Sequence, residues 1–168
     1  DIKISKLKGI GVDAGPGSFT GIRIGLATAK TLAQILNIPI VSVISLDAFA
    51  KYVESSDKLI IPLVSALRND VFTSVYYRKK RISNYLKIDI DKLLITCKKN
   101  RNNAIFIGED LSLYKEKIKD FLENRVEIIN LGKSTLALRI AKITKEKVQT
   151  GQGKKFDEVL PIYFQKSY

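Results

Sequence analysis

"GVDAGPGSFTGIRIGLATAK", residues 11–30, decides how the chain is read. Gly15, Gly17 and Gly21 fall within seven residues, beside the hydroxyls of Ser18 and Thr20. Ile10–Val12, just before them, is short and apolar and predicts a strand running into a Gly/Pro loop. Ser18 or Thr20 can cap the helix that follows, Phe19–Leu36, and Asn37 and Pro39 stop it. Ile38–Val43 is β-branched and short, which predicts a buried strand.

A glycine turn feeding a helix N-terminus is a ready anion site. The phosphate-binding patterns nevertheless fail. Ile22 follows Gly21 where a P-loop needs lysine, and the glycines are spaced G-x-G-x-x-x-G instead of as a dinucleotide fingerprint. Packing is the other reading. Gly21, Gly25, Ala29 and Ala33 recur every four residues and form one small-residue stripe. A glycine inside a helix costs about 1 kcal/mol against alanine, so the stripe implies that something approaches closely. That something is either the chain's own sheet or a neighbouring helix, in the same domain or in another subunit. Ile22, Ile24, Leu26, Leu32, Ile35 and Leu36 spread around more than one side, which favours burial beyond a single face. Asp13 at the strand end reads as a turn-former before a metal ligand. Arg23 reads as a solvated first-turn cation, a partner's salt-bridge residue or a phosphate contact.

Outward from this stretch, Ser45 is expected to cap a helix reaching Val53, and 54–57 is the best linker. Leu59–Val64 is a strand in which Pro62 marks an edge position or a bulge. Val71–Tyr77 and Ile82–Ile88 follow as strands around the charged turn Arg78–Arg81, which reads as solvated with RNA contact as the minor alternative. Asp89–Lys98 is helical and Ala104–Ile107 is a strand. Asp110 caps a helix carrying Leu111, Tyr114, Ile118 and Leu122, Val126–Ile129 is a strand, and Ser134 opens the last helix. The apolar run Val159–Phe164 ends the chain after a polar break at 150–155.

The order from Leu59 onward is βββαβαβα, the ribonuclease-H-like order, and Ile10–Val53 repeats its second half. The expected fold is therefore α/β and actin-like, a duplicated ribonuclease-H-like unit whose first lobe is incomplete in this chain. The expected divisions are 1–56 for the first lobe, 57–150 for the second and 151–168 for a C-terminal segment. An actin-like ATPase needs a carboxylate on the first hairpin of each unit, and Ser65–Arg68 offers none.

Composition narrows the chemistry. Among 168 residues there is no histidine, so the commonest general base and metal ligand is missing. The one cysteine, Cys97, excludes an internal disulfide, fits a reducing compartment and has no histidine to activate it. No apolar run approaches the roughly 18 residues of a membrane span, and the lone cysteine makes the cytoplasm the expected location. The formal charge is +12, and lysine outnumbers arginine 22 to 7. That excess reads as a compositional bias or as a basic face for RNA or an acidic partner.

"GPGSFTGIRIGLATAKTLA" (15–33), followed by "NIPIVSVISLDAFA" (37–50), closely resembles the TsaB (YeaZ) family of tRNA threonylcarbamoyladenosine biosynthesis proteins, within the actin-like, glycoprotease-like superfamily. The likeness continues more weakly through "LIIPLVSALRNDVFTSVYY" (59–77) and the terminal "VLPIYFQKSY" (159–168). It implies an actin-like fold without catalysis of its own. It implies pairing with the catalytic paralogue TsaD and the ATPase TsaE, and contact with tRNA through that complex. The complex attaches threonylcarbamoyl to adenosine 37 of tRNAs reading codons that begin with A. Homodimers of the family form through first-lobe helices. The resemblance thus makes Gly21, Arg23, Gly25, Thr28, Ala29 and Leu32 the expected partner or dimer contact. Gly15, Pro16, Gly17, Ser18 and Thr20 are expected as a structural loop. No metal or catalytic residue is expected, no membrane contact, and no cofactor beyond an ATP or ADP held at the subunit contact. The chain departs from many relatives at Ser65-Ala66-Leu67-Arg68, where they begin the second hairpin with Asp-Ala-Arg.

Overall fold

Ile10–Asp13 forms β1 and Ile40–Val43 forms β2; they pair in parallel, Ile10 beside Ile40 and Asp13 beside Val43. In this computed structural model, which describes residues 3–53, 56–100, 102–132 and 135–162, α1 (Phe19–Leu36) makes the crossover that a parallel pair requires. Ser18 Oγ accepts from Gly21 N at 3.3 Å, so serine is the cap. At the other end Asn37 adopts the left-handed conformation, φ 48°, and Ile38 N–H closes on Ala33 O.

Strand alternation sorts the side chains of this pair between two helices. Val12 and Ile40 face α1 and pack with Leu26, Ala29, Ala33 and Val159. Val41 and Val43 face the opposite way and pack with Ala48, Ile140 and Ile143, the last two from α5 (Thr135–Gln149). The segment after α5 returns along β2, where Ile40 and Lys154 exchange both backbone bonds at 2.9 Å. Lys30 Nζ then donates to Val159 O at 3.0 Å. This corrects the expected division. The helix at 135–149 and the following segment join residues 1–48 in one unit, not the lobe drawn at 57–150 or a segment apart. The apolar repeat of α5 fits either sheet; Gly11, with no side chain, opens the place where it lies.

The second unit holds residues 49–133. β3 (Leu59–Ser65), β4 (Asp70–Thr73) and β7 (Leu86–Asp89) form an antiparallel meander, and β8 (Ala104–Glu109) and β9 (Val126–Leu131) extend it in parallel on the other side of β3. The order β7–β4–β3–β8–β9 is the ribonuclease-H-like order that the sequence implies. Pro62 lies in β3, a central strand, so the edge reading fails. Its missing N–H breaks the antiparallel ladder between Ile60, which pairs with Tyr76, and Leu63, which pairs with Thr73. Thr73 Oγ1 donates to Pro62 O at 2.9 Å across the break. The predicted strand 71–77 is consequently split, its second part being β5 (Tyr76–Tyr77), which hairpins to β6 (Lys80–Arg81).

α3 (Ile90–Asn100) and α4 (Lys115–Leu122) cover one face of this sheet, burying Ile90, Leu93, Leu94, Ile118 and Leu122 against Ile61, Leu63 and Phe106. Asp89 Oδ1 accepts from the backbones of Asp91 and Lys92 and opens α3. Asp110 does not cap a helix. It sits in the left-handed region and makes no cap bond, and Asn130 Oδ1 takes the Leu111 N–H at 3.0 Å. A short 3-10 turn, Leu111–Leu113, separates it from α4. The expected linker residues 54 and 55, the helix-opening position 134 and the chain end 163–168 lie outside the described residues. Among the described residues no helix is long and apolar enough to cross a membrane.

Candidate functional site

The loop after β1 is tied to its own unit. Asp13 Oδ1 accepts from Gly15 N at 2.9 Å, an Asx turn, and from Ser45 Oγ at 2.7 Å. Ser45 N donates to Gly15 O at 2.9 Å, and Ser45 Oγ also reaches Pro16 O at 3.3 Å. Ser45 was expected to cap α2 (Ser45–Ala50), but its hydroxyl turns to the loop instead. Sequence reasoning missed this pairing, because nothing in the spacing of residues 13 and 45 announces it. Burial pushes the Asp13 carboxyl above its ordinary range, while its bonds with Ser45 and Gly15 pull it down.

Ala14, Gly15 and Pro16 are buried, and Gly17, Ser18 and Thr20 are exposed. Two N–H groups that a phosphate would use, those of Gly15 and Gly21, are already taken by Asp13 and Ser18. These bonds tie the loop to β1, α1 and α2. Gly15 holds φ +103°, and a Cβ there would stand 3.0 Å from Ile22 Cδ1. At Gly17 a Cβ would meet only Ile22 Cδ1, at 3.8 Å. Gly15→Ala is expected to cost about 1–3 kcal/mol in urea unfolding, and Gly17→Ala under about 1 kcal/mol. Equal losses would show that the loop imposes no conformational demand at Gly15.

From Gly25 onward the small-residue stripe of α1 points inward, while Gly21 at its start is exposed. Ala29 and Ala33 are 6% and 2% exposed, and a Cβ on Gly25 would meet Val12 Cγ2 at 3.9 Å. The covered part of the stripe packs on the chain's own β1 and β2, at ordinary contact distance from Gly25. Ala29 is thereby corrected as a partner-contact residue, since its side chain is already covered. Gly21, Arg23, Thr28 and Leu32 are exposed, and Gly25 lies half-buried at the margin.

The outer side of α1 carries the informative chemistry. Gly21, Ile24, Thr28, Thr31, Leu32 and Ile35 share it, all exposed and all uncharged. Ile24 is 62% and Ile35 73% exposed, in a chain of formal charge +12. Ile24, Leu32 and Ile35 thus leave apolar side chains in water along one face of the helix. Arg23 Cζ stands over the Phe19 ring, 3.8 Å from its centroid, beside this face. Elsewhere Cys97 is half-buried on α3, and burial pushes its thiol up to about 11, so it is protonated at neutral pH.

Residues 1–152 match the family model of tRNA N6-adenosine threonylcarbamoyltransferase, TsaD. The tRNA threonylcarbamoyladenosine biosynthesis protein TsaB of Bacillus subtilis is 38% identical over 126 residues, 73% of this chain and 55% of that protein. A tRNA N6-adenosine threonylcarbamoyltransferase of Methylorubrum extorquens is 34% identical over 85 residues, 51% of this chain and 24% of that protein. The chain thus spans about half the length of the first of these relatives and a quarter of the second. Among solved structures, YeaZ from Pseudomonas aeruginosa superposes with a TM-score of 0.68 at 19% identity, over 96% of this chain and 77% of that one. The fold is accordingly the actin-like, glycoprotease-type fold of YeaZ, and the chain belongs to the TsaB (YeaZ) branch of the tRNA N6-adenosine threonylcarbamoyltransferase family.

Proposed function

We propose that the chain is a non-catalytic subunit of the machinery that forms N6-threonylcarbamoyladenosine at position 37 of tRNAs reading codons that begin with A, and that it works by binding the catalytic paralogue TsaD. The observation that carries this reading is the uncharged outer face of α1, about 27 Å long at 18 residues. Ile24, Leu32 and Ile35 give it apolar anchors, and the bond between Asp13 and Ser45 holds its start. In this reading Arg23 sits at the polar rim, TsaE and a second copy of the chain are the further partners, and the cytoplasm is the location. The chain's contribution is contact free energy that favours the partner's active arrangement.

The test is gel filtration of the chain with TsaD from the same organism. Ile24→Glu with Ile35→Glu places two carboxylates on a face that would be desolvated in the complex. Each lost anchor is worth about 1.5–3 kcal/mol, so affinity is expected to fall at least about hundredfold. The melting temperature should hold, since both side chains already stand in water. Co-elution of the variant as tightly as the unaltered chain would refute the assignment of this face. Turnover of magnesium-ATP by the chain alone would refute the non-catalytic role.

A further inference from the structure

The β5–β6 hairpin pairs Tyr76 with Arg81 and Tyr77 with Lys80, leaving Arg78 and Lys79 as its two-residue turn. Both turn residues have positive φ, 45° and 66°. Turns of this hand favour asparagine and glycine, because a Cβ is crowded there. The chain instead places two long cations at the tip and two more directly after it. Local folding preference does not account for that choice.

The cations at the tip are only lightly neutralised. Arg78 donates to Asp57 Oδ1 from Nε and Nη2 at 3.2 and 3.1 Å, but both side chains are largely in water, where such a pair contributes little. Among the described residues Lys79, Lys80 and Arg81 have no carboxylate within ion-pair distance. Arg81 lies over the Tyr85 ring at 4.0 Å and Arg78 beside the Tyr77 ring at 5.2 Å. Topology gathers more charge at the same end. Tyr76 pairs antiparallel with Ile60, so the tip projects past the start of β3. The parallel strands β8 and β9 begin at that end as well, preceded by Lys98 and Lys99 at the close of α3 and by Arg125 before β9.

We infer that this end of the second unit, led by the Arg78–Lys79 tip, binds the phosphate backbone of a folded RNA. Guanidinium groups laid on aromatic rings present planar forks that suit phosphate oxygens. Arg78, Lys79, Lys80 and Arg81 run in series, a density of cations that suits a polyanionic backbone. Naming tRNA as the RNA rests on the proposed function. The measurement itself uses the chain alone, so the two readings fail separately.

The experiment is fluorescence anisotropy of an unmodified tRNA transcript with the full 168-residue chain, across about 50–200 mM salt. R78N/K79G removes two cations and installs the pair that the turn favours, so its melting temperature should equal or exceed that of the unaltered chain. Its affinity is expected to fall about tenfold at the lowest salt, and the slope of log K against log salt to become shallower by about 2. K142S/K145S removes the same charge from the exposed side of α5 and should change affinity less than about twofold. The inference is overturned if R78N/K79G binds as the unaltered chain does, if the α5 variant loses as much, or if the chain binds no tRNA. Loss of TsaD capture with tRNA affinity intact would assign the tip to an acidic protein face and also overturn it.

Discussion

Gly108→Ala is expected to destabilise the protein by more than about 3 kcal/mol and to lower its melting temperature by about 10 °C. Gly108 lies in β8, which is paired on one side with β3 and on the other with β9. A Cβ there would fall on the backbone oxygen of Leu63, with Leu63 C at 3.3 Å and Leu111 Cδ2 at 3.6 Å. The obstacle is main chain, so no rotamer change relieves it, and one of two ladder-bonded strands must move. Leu63 belongs to the core with Phe106, Leu93 and Leu94, so that movement opens the packing under α3. Thermal melts of Gly108→Ala and Gly17→Ala decide the matter, since the second adds the same methyl in open surroundings. A Gly108→Ala melt within about 2 °C of the unaltered chain would show that the strands yield freely.

Local signals predicted elements well and their neighbours poorly. α1 was legible because Ser18, Asn37 and Pro39 mark its ends chemically, and α3 because Asp89 precedes its apolar repeat. The ribonuclease-H-like order followed from element type alone, since three strands before an alternating series have few ways to pair. The direction of the small-residue stripe was not legible. Periodicity shows that Gly25, Ala29 and Ala33 share a side, and only the sheet shows that Val12 lies beneath it. The turn at Arg78–Arg81 was legible, but not that it tightens to two residues between β5 and β6, because Arg-Lys is no two-residue turn signal; the split at Pro62 was hidden because one missing N–H acts across two strands. The tie at Asp13 was half legible: the turn bond to Gly15 is local, and the bond to Ser45 spans 32 positions.

The place of α5 shows the same limit and gives the second large effect. Gly11→Ala is expected to destabilise the protein by about 2–3 kcal/mol, and Thr144→Ala in the same chain to recover at least about 1 kcal/mol of it. A Cβ on Gly11 would fall on Thr144 Oγ1 and stand 2.9 Å from Ile140 Cγ2. Thr144 cannot easily swing aside, because its buried hydroxyl donates to Ile140 O at 2.7 Å and would lose that partner. In the double variant the hydroxyl is gone, and the new methyl faces Ile140 Cγ2 at 2.9 Å and the residue-144 Cβ at 3.1 Å, contacts of a few tenths of an ångström that a small helix shift relieves in part. The four chains form a double-mutant cycle, read by urea unfolding. Coupling of at least about 1 kcal/mol places α5 on β1 in solution. Strict additivity would mean that residues 11 and 144 do not touch, and would return α5 to the second unit, where its sequence order suggested it belonged.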